Sequence, residues 1–146
     1  MKASGLLSFA EKVDYAYYRL CEPLLKKYDL SQVSFTILMF LSENPEYRTA
    51  QEISELRHIK KNLVSVHVEK LVASGYLKRS PVEGDRRKIG LSCTEKAKPI
   101  LDEGFRIQKD FLERVTKRIT EEEWKVHKDI VETITENLNE MCGSEK

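Results

Sequence analysis

The chain has 146 residues, of which 40% are hydrophobic and 34% are charged, and its formal net charge at pH 7 is +1. That composition suits one globular protomer with a polar surface, and neither a membrane-spanning stretch nor a signal-peptide pattern is visible. The three widely separated cysteines form neither a disulfide framework nor zinc-ligand spacing. We therefore expect a cytoplasmic protein without a metal or another cofactor.

Basic residues are concentrated in the middle of the chain. Between Arg57 and Lys88, nine lysines and arginines stand against three acids, whereas residues 102–146 carry eight basic and twelve acidic side chains. A charge run alone is usually a solvated face. A basic middle on a more acidic scaffold is typical of a nucleic-acid-binding lobe, and the order of the elements described below favours that interpretation.

Two helices are predicted in the first third of the chain. Residues 6–28 form a long helix, because their apolar side chains recur at three- and four-residue spacing. Its apolar and aromatic band is wider than one small lobe needs, which favours a dimer surface over an intramolecular core. Pro23 predicts a kink near Leu20. Ser31 is predicted to cap a second, buried helix that ends at Asn44.

A helix-turn-helix is predicted next. A capping box at residues 49–52 marks the start of a short helix, which Ile53 and Leu56 anchor to the core. The chain turns at residues 57–60, without the glycine that such turns often contain, and continues as an amphipathic helix over residues 61–74. These elements in this order form a helix-turn-helix.

A basic hairpin is predicted to follow that helix. Gly75 suits the positive φ at a helix C-terminus, and residues 81–85 have the composition of a turn. The second strand begins with a basic cluster at residues 86–88. Residues 47–48 are predicted to form a very short strand that pairs with this hairpin. Apolar side chains alternate with small ones along the second strand, as in a strand with one buried face; the apolar residues are Ile89, Leu91 and Cys93.

Two further helices complete the predicted fold. Thr94 caps a long helix that ends near Arg118, and a second capping box at residues 120–123 starts the last helix. Their apolar stripes exceed what the central lobe can bury, so they most simply pack against a second copy in a two-fold dimer. The predicted fold class is mainly α, with a small β-hairpin wing.

At the hairpin the sequence resembles the MarR family of bacterial transcriptional regulators. That family ends its wing with Asp-x-Arg, a short strand and a threonine that opens a long helix, which are here Asp85, Arg87 and Thr94. Residues 71–77 also match the family's pattern of a leucine, three residues, a glycine and a hydrophobic pair. The resemblance covers nearly the whole chain in the order of its elements.

The resemblance implies how the chain is organised. Residues 1–146 would form a single MarR-like protomer, with a winged helix-turn-helix DNA-binding lobe at residues 31–93. Residues 1–28 and 94–142 would be the dimerisation helices. The family also implies a homodimer that binds double-stranded DNA, often as a repressor, and a small-molecule effector; the sequence assigns no residues to the effector. A winged-helix module that binds protein instead of DNA is the alternative.

The predicted DNA-binding residues lie on the outward face of the second helix of the helix-turn-helix and on the hairpin. They are Lys60, Lys61, Asn62, Ser65, Val66, Glu69, Lys70, Arg86, Arg87 and Lys88. The lysines, with Lys78, would mostly contact phosphates, which position the protein without specifying sequence.

Base contacts are predicted for the polar part of that helix. Asn62, Ser65 and Glu69 are candidates for base edges, and Val66 for a thymine methyl. An ion pair with a neighbouring lysine is an equally good interpretation of Glu69. From the resemblance, Arg87 would enter the minor groove. Asp85 is predicted to support the wing by orienting an arginine.

Patterns for other chemistry are weak. The three histidines lack ligand spacing, and no catalytic motif is present, so neither a metal site nor an enzyme is expected. His67 is predicted to be structural rather than a pH switch. Cys21 is predicted to be a buried, inert thiol rather than a redox sensor, and Cys142 to be exposed. Four aromatic residues could line an effector cleft or pack in the core: Tyr15, Tyr17, Tyr18 and Phe35.

Overall fold

The computed structural model describes residues 2–143, which form six α-helices, one two-stranded antiparallel hairpin and one short 3-10 helix. The helices and strands in chain order are α1 (Ala3–Tyr28), α2 (Gln32–Glu43), α3 (Ala50–Arg57), α4 (Lys61–Ala73), β1 (Leu77–Val82), β2 (Asp85–Cys93), the 3-10 helix (Glu95–Ala97), α5 (Lys98–Val115) and α6 (Glu121–Met141). The predicted fold class is confirmed. None of the helices between residues 2 and 143 is long and apolar enough to span a membrane.

The chain divides within α5 into two compact units, one up to Lys109 and one from Asp110 onward. The core of the first unit surrounds α2, which is buried along most of its length, as predicted. Ser31 caps α2 by accepting a hydrogen bond from the backbone N–H of Ser34 at 3.1 Å, which confirms the predicted cap. The predicted division into a winged lobe and flanking helices stays a prediction.

The helix-turn-helix begins with the predicted capping box. Thr49 and Glu52 exchange side-chain and backbone hydrogen bonds at the start of α3. In the turn, His58 adopts a φ of +52°, the left-handed conformation for which a glycine is more usual. Ile53 is fully buried, but Leu56 is 47% exposed, so the prediction that both anchor α3 is wrong for Leu56. An eight-residue helix can turn only one narrow stripe toward the core.

The hairpin is longer and its turn tighter than predicted. Residues 81–82 belong to β1, and Val82 pairs with Asp85 across a turn in which Gly84 has a φ of +85°. Leu91 is buried, but Ile89, which belongs to the face predicted to be buried, is 57% exposed. Ile89 lies on the same face of β2 as Leu91, but nearer the turn. The strand has already passed the edge of the core at that point.

No strand forms at residues 47–48, so that prediction is wrong too. The segment still contacts the hairpin, because the N–H of Leu91 donates to the carbonyl of Arg48 at 2.7 Å. The N–H of Arg48 donates instead to the carboxylate of Glu52, at 2.9 Å. Since Glu52 accepts from that donor, the N–H of Arg48 makes no bond to the hairpin.

Thr94 has a different role from the one predicted. It precedes the 3-10 helix and makes no side-chain cap; its hydroxyl donates to the carbonyl of Gly75 at 2.6 Å. Beside it, the ammonium group of Lys96 donates to the carbonyl of Ser74 at 2.7 Å and lies 5.0 Å from the ring centroid of Tyr76. These contacts join the end of α4 to the segment that leads into α5. The helix α5 ends at Val115, three residues earlier than expected.

Helix α1 runs unbroken through Pro23, and the kink predicted there stays a prediction. In the second unit, Thr120 and Glu123 form the second predicted capping box, at the start of α6. No residue of α6 is buried. Six of its apolar side chains are exposed: Val126, Ile130, Val131, Ile134, Leu138 and Met141.

Candidate nucleic-acid interface

One side of α4 is buried and the other faces solvent. The buried side carries four residues: Val64, His67, Val68 and Leu71. All six α4 residues predicted to contact DNA are exposed: Lys61, Asn62, Ser65, Val66, Glu69 and Lys70. Lys60, immediately before the helix, is exposed too. The structure therefore brings these predicted residues onto one outward surface.

Leu63 also belongs to that outward surface, although it is not among the predicted site residues. It lies next to the buried Val64 in sequence, yet it is partly exposed, as Val66 is one turn later. At three-residue spacing the two side chains are neighbours on the helix. The sequence contained a signal for this exposure. Leu63 is one residue away from the buried Val64, and adjacent helical residues point in directions about 100° apart.

The wing carries the second group of predicted residues. Residues 86–88 are exposed on β2 just after the turn. Asp85 is partly buried, and its carboxylate accepts a hydrogen bond from the backbone N–H of Arg87 at 3.0 Å. Asp85 therefore binds the backbone of Arg87 and not, as had been predicted, an arginine side chain. The carboxylate holds the backbone of the tight turn, which places the basic residues at the tip.

Glu69 makes an ion pair, but its partner is not the expected lysine. The carboxylate of Glu69 accepts a hydrogen bond from the guanidinium of Arg79, on β1. Arg79 was not among the predicted site residues. The pair connects α4 to the hairpin, and its two residues are ten positions apart in the sequence, so local sequence patterns could not predict it.

His67 lies beneath this surface in a buried polar cluster. Its Nδ1 is 2.9 Å from the hydroxyl of Ser34 and 3.1 Å from that of Ser31, at the N-terminus of α2. Burial, and then the charge of Lys70, lower the pKa of His67 below its usual value. The neutral ring can accept a hydroxyl hydrogen at Nδ1, whereas a cation there would face the positive end of the α2 dipole. The structural interpretation of His67 is supported.

This cluster predicts a loss of stability in acid. Folding lowers the pKa of His67, so the unfolded chain takes up the proton at a higher pH, near the ordinary pKa of about 6.5. The free energy of unfolding should therefore fall as the pH drops through that value toward the lowered folded-state pKa. We expect His67→Gln to remove this part of the pH dependence, measured by urea unfolding at a series of pH values. The exposed His127, changed to Gln, is the matched control and should leave the dependence in place.

The other candidate residues are dispersed. Phe35 is a core residue, Tyr17 is partly buried, and Tyr15 and Tyr18 are exposed. Cys21 is buried, and its burial raises the pKa of the thiol, which agrees with an inert role. Cys142 is exposed, as predicted. Among residues 2–143 no group of histidine, cysteine and acidic side chains is placed to hold a metal ion.

Comparison with known proteins agrees with this geometry. A model of the MarR family matches residues 28–88. The HTH-type transcriptional regulator PecS of Dickeya dadantii (strain 3937) is 30% identical over 107 residues, which is 72% of this chain. The match extends over 58% of PecS, so the chain spans little more than half the length of that curated relative.

Solved structures share the fold. A MarR protein from Peptoclostridium difficile superposes with a TM-score of 0.81 at 21% identity, covering 97% of this chain and 92% of its own. A transcription regulator MarR from Oenococcus oeni gives a TM-score of 0.70 at 22% identity, covering 92% and 99%. Residues 28–88, which hold the helix-turn-helix and most of the hairpin, therefore match the MarR family of transcriptional regulators, and the chain as a whole shares the winged-helix fold of the solved MarR structures.

Proposed function

We propose that this protein is a sequence-specific, double-stranded-DNA-binding regulator that acts as a homodimer on a pseudo-palindromic operator. The observation that best supports the proposal is the exposed polar face of α4 beside a hairpin with three exposed basic residues at its tip. A helix of this size fits the major groove of B-DNA. The hairpin can then reach the neighbouring minor groove or the phosphates.

The side chains divide into two kinds of contact. Lysines 60, 61, 70, 78 and 88 would bind phosphates and set the register, without reading sequence. Asn62 suits the edge of adenine, and Val66, with Leu63 beside it, suits thymine methyl groups. Arg87 would enter the minor groove, which A·T tracts make narrow and strongly negative.

A dimer would give the protein two such surfaces. Helix α6 exposes an apolar stripe along its whole length, and the N-terminal part of α1 exposes Leu6, Leu7 and Phe9. Two-fold pairing through these helices would cover both surfaces. It would also place two α4 helices roughly 34 Å apart, one duplex turn, which is why the operator should be pseudo-palindromic.

We further propose that the protein is a repressor under the control of a small molecule. Such an effector must bind the DNA-competent and DNA-incompetent arrangements of the dimer with different affinity, since equal affinity would shift nothing. We assign no residue to this effector. We propose no catalysis, and the cytoplasm is the compartment in which such a regulator would act.

Arg87→Ala tests the role of the wing. We expect weaker binding to a duplex selected by the wild-type protein from random-sequence DNA. The dependence of log K on log salt should become shallower by about one unit, because the duplex then releases fewer condensed counterions when the protein, lacking one cation, binds. Fluorescence anisotropy across a salt series measures both quantities. Arg106→Ala, on α5, is the control and should leave the slope unchanged.

If Arg87→Ala keeps the wild-type affinity and slope, the wing is not part of the interface. A wild-type protein that ignores double-stranded DNA at low ionic strength would overturn the proposed function as a whole.

A further inference from the structure

Glu69 and Arg79 form an ion pair at the outward surface of α4. Glu69 is the one acidic residue of that helix, and it follows Ser65 by four positions and Asn62 by seven. Residues at these spacings share a face of a helix, so the carboxylate belongs to the outward surface. Its side chain is 70% exposed, yet the carboxylate already has a cationic partner.

Arg79 reaches that surface from the hairpin. It pairs in register with the buried Leu91, and it lines a cleft of about 140 Å³ between α4 and the hairpin. Ser65 and Val68 line the same cleft from the helix side. The guanidinium therefore lies between the two elements that are proposed to enter neighbouring grooves, and its side chain is 37% exposed.

We infer that Arg79 contacts a DNA phosphate and that Glu69 is its positioning residue rather than a reader of cytosine. This inference rests on the proposed function. A guanidinium has five N–H donors, and the hydrogen bond to Glu69 uses one Nη2 donor. The remaining donors can bind phosphate oxygens in the fork geometry that favours arginine over lysine.

Charge and order both support this assignment. An unpaired carboxylate on a groove-facing helix would be repelled by phosphates spaced at one charge per roughly 1.7 Å of duplex. Pairing with Arg79 neutralises it. The pair also orders two side chains with many rotamers before DNA arrives, so less conformational entropy is lost on binding.

The test compares Arg79→Ala, Glu69→Gln and the double variant on the selected duplex and on a panel in which each base pair is changed in turn. We expect Arg79→Ala to weaken binding by a similar factor on every duplex. Its salt slope should be shallower by about one unit. The salt slope of the double variant should likewise be about one unit shallower than that of Glu69→Gln. Arg79→Lys should retain the slope at lower affinity, because a point charge remains while the fork is lost.

Three results would overturn the inference. Equal salt slopes for Glu69→Gln and the double variant would mean that Arg79 touches no phosphate. Recovery of wild-type affinity and slope in the double variant would mean that Arg79 only neutralises Glu69. Loss of discrimination at one base pair in Glu69→Gln would make Glu69 a base reader.

The matched control is Arg19→Ala, which removes an arginine from an ion pair with Glu22 on α1 and should leave the salt slope unchanged. Retained thermal unfolding midpoints show that each variant is folded. If the wild-type protein binds and Arg87→Ala behaves as predicted while Arg79→Ala does not, this inference fails and the proposed function survives.

Discussion

A chain carrying Ile130→Glu and Ile134→Glu is expected to be a folded monomer. Both side chains lie on the exposed apolar stripe of α6, one helical turn apart. In the proposed dimer they would be buried, and two carboxylates in an apolar interface carry a desolvation penalty that no partner offsets. In the monomer both positions face water, so helix content should persist. Sedimentation velocity measures the mass, and circular dichroism measures the helix content.

The control adds negative charge to the opposite side of the same helix, as Lys128→Glu and Asn139→Glu, and should leave the dimer intact. Because DNA binding would need two half-sites, the monomeric variant should also lose most of its affinity for a full operator. A dimer of wild-type stability in the Ile130→Glu, Ile134→Glu variant would show that α6 is not the dimer surface.

The second large effect is expected in the core. Ile53 is fully buried, and replacing it with alanine should lower the free energy of unfolding by about 2–5 kcal/mol, since the apolar contacts are lost and a cavity remains. The cavity lies where α3 meets the core, so the helix-turn-helix should be affected first. Urea unfolding at a fixed protein concentration measures the change, because the stability of a dimer depends on concentration.

Ile89→Ala is the matched control, with the same atoms removed from a residue that is 57% exposed. The strand preference of isoleucine is the main loss there, and it should cost less than about 1 kcal/mol. If the two variants unfold at the same urea concentration, Ile53 does not anchor α3.

The sequence correctly predicted the features that depend on residues close together in the chain. Both capping boxes occupy four consecutive positions each, and the structure has both. The outward face of α4 follows from helical periodicity, so the spacing of the apolar residues was enough to predict the exposure of Asn62, Ser65 and Glu69. Their contacts with DNA stay a prediction.

The errors share a different cause. Alternation along β2 gives the face on which Ile89 lies, but not how far the strand projects beyond the core. Thr94 suits a helix cap by residue type, yet its hydroxyl bonds to Gly75, nineteen positions earlier. The partner of Glu69 lies on another element, where only the fold brings Arg79. Side-chain partners that come from distant segments have no signature in a local pattern.

The contacts of Thr94 and Lys96 with the end of α4 have a mechanical consequence. Carbonyl groups at a helix C-terminus have no partner within the helix, and here those of Ser74 and Gly75 are bound by the segment that starts α5. A shift at the beginning of α5 would therefore reach Ser74 and Gly75, the two residues that follow α4, through these hydrogen bonds. In a dimer that pairs through the terminal helices, these two hydrogen bonds would connect a movement of α5 at the dimer interface to the position of α4 in the DNA major groove.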